Sequence, residues 1–154
     1  MRGVLRGLVS TTSRMTVVDL EAGLEHLSRG TARHVDTLLL VAEPYFKSLE
    51  AAQRSFTLAK DLGIGRISMV ANKIRSSRDE ATVREFAGRH EVTVAGIVPF
   101  DPAVVEADEQ GAAVIDQRPE AMSVAAIRRL ADRLLTAAAQ AAPLSVRRAG
   151  SMPR

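Results

Sequence analysis

The sequence predicts an α/β fold, a parallel sheet with helices on both faces. Apolar stretches of strand length alternate with stretches of helical periodicity along the 154 residues. Alternation of this kind favours right-handed crossovers and parallel pairing of the strands. The chain also holds only four phenylalanines and one tyrosine, so we expect an aliphatic core.

The predicted elements divide the chain into three regions. Residues 1–14 are a basic segment that can form a short helix over residues 2–9, and residues 140–154 are a basic tail that we expect to be disordered. A partial α/β domain lies between them, over residues 15–139. Its strands are predicted at residues 15–19, 37–42, 66–71 and 92–98. Its helices are predicted at residues 48–62, at 77–89, after Pro102 up to Gly111, and at 123–139.

Particular residues explain why several of these elements are predicted where they are. The strand at 37–42 is an almost continuous apolar run, which predicts burial on both of its faces. Ser48 is the predicted N-cap of the helix that follows, and Gly63 is its predicted left-handed C-cap. Ser77 and Glu80 form a capping-box pattern that opens the next helix.

Composition excludes several classes of function. The chain contains no cysteine, which excludes disulfides, thiolate metal sites and a cysteine nucleophile. No apolar run approaches the roughly 18 residues that a membrane-spanning helix needs. The net charge is +3, yet six arginines lie in residues 1–14 and 143–154, so the body between these ends is net negative. We therefore expect a cytoplasmic protein without a membrane span that binds no nucleic acid.

The first candidate site residue is Asp19, at the carboxyl end of the first predicted strand. Ligands of open parallel sheets bind at that edge of the sheet. Asp19 can orient Mg²⁺ through water, or it can cap the loop that follows. Gly23 either allows a backbone to approach a phosphate or supplies a turn. The residues alone leave both alternatives open.

Two further pairs of candidate residues follow later strands. Asn72 and Lys73 come directly after the third predicted strand. The Asn72 amide offers a donor and an acceptor that match the edge of an adenine base, and a turn with a solvent-exposed lysine is the alternative. Pro99 and Phe100 follow the fourth predicted strand, where they either wall a base pocket or form a stiff turn.

The order of residues from Asp19 onward resembles one family of nucleotide-binding proteins. Residues 19–31 are Asp-Leu-Glu-Ala-Gly-Leu-Glu-His-Leu-Ser-Arg-Gly-Thr, and this segment resembles the switch II region of CooC-type proteins. These proteins are nickel-insertion accessory ATPases for carbon monoxide dehydrogenase, in the MinD/ParA group with a deviant P-loop. Further matches follow in the same order, at residues 41–44, 48–51, 58–63, 70–73 and 96–101.

The resemblance implies a P-loop NTPase-like fold that binds ATP or ADP with Mg²⁺. Asp19 would lie near the Mg²⁺ and Gly23 near the terminal phosphate, which makes them the implied catalytic residues. Asn72 would recognise adenine with Lys73 beside it, and residues 99–100 would line the base pocket. In the family, nucleotide binding drives dimerisation, and dimerisation controls the delivery of nickel.

The 154 residues depart from the family pattern in two respects. They contain no Gly-x-x-x-x-Gly-Lys-Ser/Thr loop, whose backbone N–H groups would cradle the phosphates. They also lack the cysteine pair that binds nickel between the family's subunits. We therefore expect weak or absent nucleotide binding, no ATP hydrolysis by this chain alone, and no nickel site.

The likeness is to the carboxy-terminal portion of the family, and three explanations stay open. The chain is a truncated or mis-started gene product, one half of a split protein completed by a P-loop-containing half, or a degenerate interaction module that pairs with an intact ATPase homologue. A homodimer or one of these pairings is the expected assembly. Carbon monoxide dehydrogenase is the client enzyme that the resemblance implies.

Overall fold

The computed structural model describes residues 16–20 and 35–140, so the helix predicted at residues 2–9, the residue Gly23 and the tail from residue 141 onward lie outside the described residues. Within these ranges, three strands alternate with helices, which confirms the predicted α/β class. The strands are β1 (Leu38–Ala42), β2 (Ile67–Ile74) and β3 (Thr93–Pro99). The helices are α1 (Phe46–Asp61), α2 (Ser77–Arg89), α3 (Pro102–Glu109), α4 (Val114–Gln117) and α5 (Met122–Gln140).

The three strands form a parallel sheet in the order β1-β2-β3. β1 and β2 pair regularly, from Leu38 opposite Ile67 to Ala42 opposite Ala71. The pairing of β2 with β3 shifts register twice, and each shift places one extra residue in one of the two strands. A helix connects each pair of neighbouring strands, as parallel pairing requires.

Separate apolar clusters fix the helices on the two faces of the sheet. On one face β2 packs against α1 and α2, in a cluster that includes Leu49, Ala52, Met69, Ala71 and Val83. On the other face β2 and β3 pack against α5, in a cluster of Val70, Val98, Ala126 and Leu130. Side chains alternate along a strand, so Met69 and Val70 serve opposite clusters although they are neighbours in the chain.

The ends of the helices confirm one predicted cap and correct two others. Gly63 has a φ of +78°, and its amide donates to the Lys60 carbonyl oxygen at 2.9 Å, as a left-handed C-cap should. α1 begins two residues before Ser48, whose hydroxyl instead accepts the Glu43 amide at 2.9 Å. The N-cap of α2 is Ser76 rather than Ser77, because the Ser76 backbone is extended and its hydroxyl accepts the Asp79 amide.

The strand predicted at residues 15–19 is wrong for its described part. Residues 16–20 have irregular structure and pair with no strand of the described chain. Val17 is 85% exposed and Val18 is 46% exposed, so neither valine enters a core. An apolar run of strand length forms a strand only where a neighbouring strand accepts its backbone hydrogen bonds, and β1 does not pair with this segment.

β1 is covered on one face more fully than on the other, which corrects the expected burial of both faces. Leu38, Leu40 and Ala42 are buried, whereas Val41 is 63% exposed. Helix α5 packs mainly against β3, at the far side of the sheet, and it leaves the Val41 position uncovered.

None of the helices in the described ranges is long and apolar enough to cross a membrane.

Candidate functional site

The carboxyl ends of the three strands bring together most of the residues that the sequence singled out. Glu43 follows β1 directly, next to the paired residues Ala42 and Ala71, and Asn72 occupies the corresponding next position in β2. Pro99 at the end of β3 lies opposite Ile74. In parallel sheets this edge is the usual place for a ligand, because the loops that leave the strands diverge there.

A bulge in β2 shapes the middle of this edge. Ala71 lies opposite Ile97 and Ile74 lies opposite Pro99, so β2 contains one more residue than β3 over this interval. Lys73 has a φ of +55°, in the left-handed region that residues other than glycine rarely adopt. The bulge therefore falls at Asn72 and Lys73, and it turns their backbone out of the regular ladder.

An ion pair joins the ends of β1 and β2 across the bulge. Lys73 Nζ lies 2.9 Å from Glu43 Oε1, and both side chains are partly exposed to solvent. The Glu43 amide donates to Ser48 Oγ in the first turn of α1, which fixes the backbone of the loop that carries the carboxylate. Lys73 thus has a partner within the chain, and the half-buried Asn72 lies beside this pair with its side chain in none of the hydrogen bonds between described residues.

A stacked pair closes the β3 side of the edge. The Arg75 guanidinium carbon lies 3.6 Å from the centre of the Phe100 ring, within the range of a cation–π contact. The Phe100 amide donates to the Ile74 carbonyl oxygen at 2.9 Å, which extends the pairing of β2 and β3 by one residue. Sequence reasoning selected Phe100 but missed Arg75, which no local pattern distinguishes from other exposed arginines.

Asp101 anchors the segment that carries Pro99 and Phe100. Its carboxylate is buried and accepts the amides of Ala103 and Ser123 and the hydroxyl of Ser123, at 2.9 to 3.0 Å. The Ser123 amide lowers the pKa of Asp101, burial opposes this shift, and the Ala103 amide and Ser123 hydroxyl lower the pKa further. An aspartate before a proline at a helix start is a capping signal that sequence reasoning did not use for this residue.

No hydrogen bond or ion pair between described residues joins Asp19 to this edge. Asp19 is exposed in the irregular segment 16–20. Its neighbour Leu20 packs against a cluster that includes Leu38, Leu40 and Ile64. Gly23 lies outside the described residues. The roles of Asp19 and Gly23 therefore stay predictions from the family resemblance.

The side chains at the edge can form hydrogen bonds and stacking contacts with a flat polar ring. An amide, an aromatic ring and a guanidinium offer hydrogen bonds and stacking. No group of three or more metal-ligating side chains occurs in residues 16–20 and 35–140. No glycine-rich phosphate loop occurs in the sequence. These side chains can contact a flat polar ring, and the two cations among them, Lys73 and Arg75, already contact Glu43 and Phe100.

Two cavities in the described part of the chain lie away from these residues. A shallow depression of about 460 Å³ is lined by residues of α1 alone, between Glu50 and Asp61, and a cleft of about 260 Å³ runs along β3. The depression follows the exposed surface of a single helix, so no second element supplies convergent groups. Neither of these two cavities includes Asn72, Lys73, Pro99 or Phe100.

Comparison with known proteins identifies the family. No family model matches the chain. The carbon monoxide dehydrogenase accessory protein CooC of Rhodospirillum rubrum is 37% identical over 119 residues, which cover 77% of this chain and 44% of that protein. The chain is a CooC-like member of the MinD/ParA family. An uncharacterized ATP-binding protein of Methanocaldococcus jannaschii is also 37% identical, over 72% of this chain and 43% of its own length.

The CooC-like chain also shares the fold of solved MinD structures. MinD of Pyrococcus horikoshii, solved in complex with Mg-ADP, superposes with a TM-score of 0.70 at 22% identity, over 89% of this chain and 56% of that one. This likeness concerns the fold alone. The chain spans less than half the length of both sequence relatives.

Proposed function

We propose that this chain supplies the base-binding portion of a CooC-like ATP-binding protein that serves the maturation of carbon monoxide dehydrogenase by nickel insertion. The observation that carries the proposal is the convergence of Asn72, Phe100 and the Glu43–Lys73 ion pair at one edge of a parallel sheet. The sequence relatives support it, since one is a CooC and the other an ATP-binding protein.

In the proposed site each residue at the edge has one task. Asn72 donates to and accepts from the polar edge of adenine, and the Phe100 ring or the Arg75 guanidinium on it stacks against the base. The Glu43–Lys73 ion pair holds the bulge, which orients Asn72. Mg²⁺ and the phosphates require groups beyond these residues, with Asp19 and Gly23 as the proposed contributions of this chain. In this proposal nickel is the metal delivered to carbon monoxide dehydrogenase, and it is not a resident cofactor of this chain.

The proposal includes an assembly, because the chain lacks a phosphate-binding loop within its 154 residues. We propose that it pairs with a P-loop-containing polypeptide or, as the family implies, forms a homodimer, and that it does not hydrolyse ATP alone. Val41, on the sheet face that α5 leaves uncovered, is 63% exposed, and the nearby Tyr45 and Phe46 are 54% and 78% exposed. These exposed apolar side chains support pairing at the surface beside β1. A cytoplasmic location stays a prediction from the sequence.

A direct binding experiment tests the base site. Titration of the chain with a fluorescent ADP analogue, followed by displacement with ADP or GDP, is expected to show weak binding that favours adenine. Asn72→Ala is expected to weaken ADP binding about tenfold, the order expected for a lost pair of hydrogen bonds in a partly buried site. Gln53→Ala, which truncates an amide on the exposed face of α1, serves as the matched control. Equal affinity for ADP and GDP would exclude the assigned role of Asn72.

A turnover assay tests the second half of the proposal. The chain alone is expected to release no phosphate from ATP above the buffer blank. Hydrolysis that Asp19→Ala abolishes would contradict this expectation and would place a complete active site within the chain.

A non-catalytic interaction module is the second candidate function, and the exposed apolar side chains beside β1 favour it. Sedimentation of the chain with an intact CooC-like homologue is expected to show a complex. Val41→Lys is expected to abolish that complex, whereas Val105→Lys, at a position 49% exposed on α3, leaves it intact. Complex formation without any nucleotide dependence would favour this candidate over the base-binding role.

A further inference from the structure

The free edge of β3 carries three arginines that the proposed nucleotide site does not use. Among the described strands β3 pairs with β2 alone, so its outer side presents unpaired backbone groups. A cleft of about 260 Å³ runs along this edge. Its walls are residues 94–97 of β3, Arg84 of α2, and Arg129 and Arg133 of α5. We call this cleft the arginine edge.

The arginines reach the edge from opposite faces of the sheet. α2 belongs to the cluster on one face and α5 to the cluster on the other, so Arg84 and the α5 pair flank β3 between them. Gly96 permits the close approach of α5. A Cβ at this position would lie 3.2 Å from Leu130 Cδ1 and 3.5 Å from a terminal nitrogen of Arg133. The Arg133 guanidinium therefore lies close to the backbone of the edge strand.

The positive charge at the arginine edge is only partly balanced within the described chain. Arg84 is paired, with its Nε 2.7 Å from Glu80 Oε1. Arg129 and Arg133 stand one helical turn apart on α5. Neither forms an ion pair with a carboxylate of residues 16–20 and 35–140. Like charges at this spacing repel each other and disfavour the helix. An anion between them would remove that repulsion.

We propose that the arginine edge binds an extended acidic segment of a partner protein. The segment's main chain would pair with the outer side of β3, and its carboxylates would accept hydrogen bonds from Arg129 and Arg133. Strand addition to a free edge supplies affinity through the backbone, while side-chain pockets supply specificity. Guanidinium–carboxylate pairs add charge-assisted hydrogen bonds. The site does not depend on the proposed nucleotide site, since it lies along the middle of β3 rather than at its carboxyl end.

Two features argue against other occupants. A second copy of the chain that paired through the same edge would bring its own arginines against these, which like-charge repulsion opposes. Ala95 is the extra residue of a bulge, because Val94 lies opposite Met69 and Gly96 lies opposite Val70, so the proposed segment would pair regularly with only a short stretch of β3. Nucleic acid is disfavoured because the body of the chain is net negative.

Fluorescence anisotropy with defined peptides tests the proposal on the full chain. The probe is a labelled octapeptide of alternating glutamate and valine, and its lysine–valine counterpart is the charge control. We expect only the acidic peptide to bind, with an affinity that falls as salt rises to about 0.5 M. A version of the acidic peptide that is N-methylated at alternate residues on its pairing side is expected to lose most of its affinity, because it cannot pair with β3.

Paired variants locate the site. Arg129→Gln/Arg133→Gln is expected to weaken binding of the acidic peptide about tenfold or more, since two charge-assisted contacts are lost. Lys47→Gln/Lys60→Gln removes the same charge from α1 and is expected to leave binding unchanged. Arg133→Gln alone provides a second test if the α5 double variant does not fold, and it is expected to weaken binding of the acidic peptide while Lys60→Gln does not. Circular dichroism establishes folding for each variant.

Four results would overturn the proposal. One is equal binding of the acidic and basic peptides. Another is an equal loss of affinity in the α5 and α1 double variants. The third is tighter binding of a single-stranded oligonucleotide than of the acidic peptide, which would assign the arginine edge to nucleic acid instead. Undiminished binding of the N-methylated peptide would likewise remove strand pairing from the mechanism and overturn the proposal as stated.

Discussion

The Asp101 carboxylate accepts both the amide and the hydroxyl of Ser123, at 2.9 and 3.0 Å, across 22 positions of the chain. The same carboxylate accepts the Ala103 amide at 3.0 Å. One buried charge thereby caps the beginning of α3 and the beginning of α5, where the helix dipoles favour a negative group. This contact joins the end of β3, with Pro99 and Phe100, to α5, which covers the face of the sheet opposite to α1 and α2.

We predict that Asp101→Ala lowers the free energy of unfolding by about 2–3 kcal/mol, because it removes hydrogen bonds to a charged acceptor and leaves buried donors unpaired. Ser123→Ala is expected to cost only about 1 kcal/mol, since the backbone amide at this position still donates to Asp101. Urea unfolding followed by circular dichroism measures both changes. Asp108→Ala, an exposed aspartate on α3, is the control and should change stability by less than about 0.5 kcal/mol.

The two substitutions should also be coupled. The double variant Asp101→Ala/Ser123→Ala is expected to lose less stability than the sum of the single losses, because both remove the same hydrogen bond. Strict additivity would mean that the two side chains do not interact in solution.

The contribution of Asp101 is predicted to depend on pH. The Ser123 amide and the other donors lower the pKa of Asp101 below its ordinary value, despite the opposing effect of burial. A carboxyl group with a lowered folded-state pKa stabilises the fold above its unfolded pKa of about 3.9, and this stabilisation is lost as the pH falls through the folded value. The gap in unfolding free energy between the native chain and Asp101→Asn should therefore be constant from about pH 5 to 8 and narrow below about pH 4.

The pH experiment compares the two proteins at each pH because every other carboxylate titrates equally in both. A gap that stays constant down to pH values at which both proteins still fold would show that Asp101 does not titrate with a lowered pKa.

The N-cap of α2 gives a prediction that separates two adjacent serines. Ser76 Oγ accepts the Asp79 amide at 3.1 Å, whereas Ser77 is the first residue inside the helix. Ser76→Ala is expected to lower the free energy of unfolding by about 1 kcal/mol. Ser77→Ala should be neutral or slightly stabilising, because alanine is the better helix former. Thermal unfolding of both variants checks this order, and the reverse order would restore Ser77 as the cap.

These serines also show how far the sequence could lead. Ser76 with Asp79 and Ser77 with Glu80 both match a capping pattern, so local sequence cannot choose between them. The choice depends on where the backbone leaves β2, and β2 continues to Ile74, three residues beyond its predicted end. That extension follows from pairing with β3, which is a tertiary effect.

The residues of the candidate site could be predicted from the sequence only where the end of a strand could be predicted. Asn72, Pro99 and Phe100 could be selected because apolar runs precede them, and parallel pairing then brings those ends to one edge. The bulge at Lys73 and the stacking of Arg75 on Phe100 depend on register, which no residue type encodes locally. The strand predicted to carry Asp19 failed because a hydrophobic pattern does not supply the neighbour that a strand needs.

The C-cap of α1 provides the last prediction, in a pair of nearby glycines. Gly63 and Gly65 both have open space around the position of a Cβ, but only Gly63 has a positive φ, of +78°. Gly63→Ala is therefore expected to lower the free energy of unfolding by about 1–2 kcal/mol through backbone strain alone. Gly65→Ala meets neither a clash nor a left-handed backbone, so it should be neutral or stabilise by up to about 1 kcal/mol through the unfolded chain. The difference between the urea midpoints of the two variants measures the cost of placing alanine in a left-handed backbone conformation. Equal midpoints would contradict the left-handed cap at Gly63.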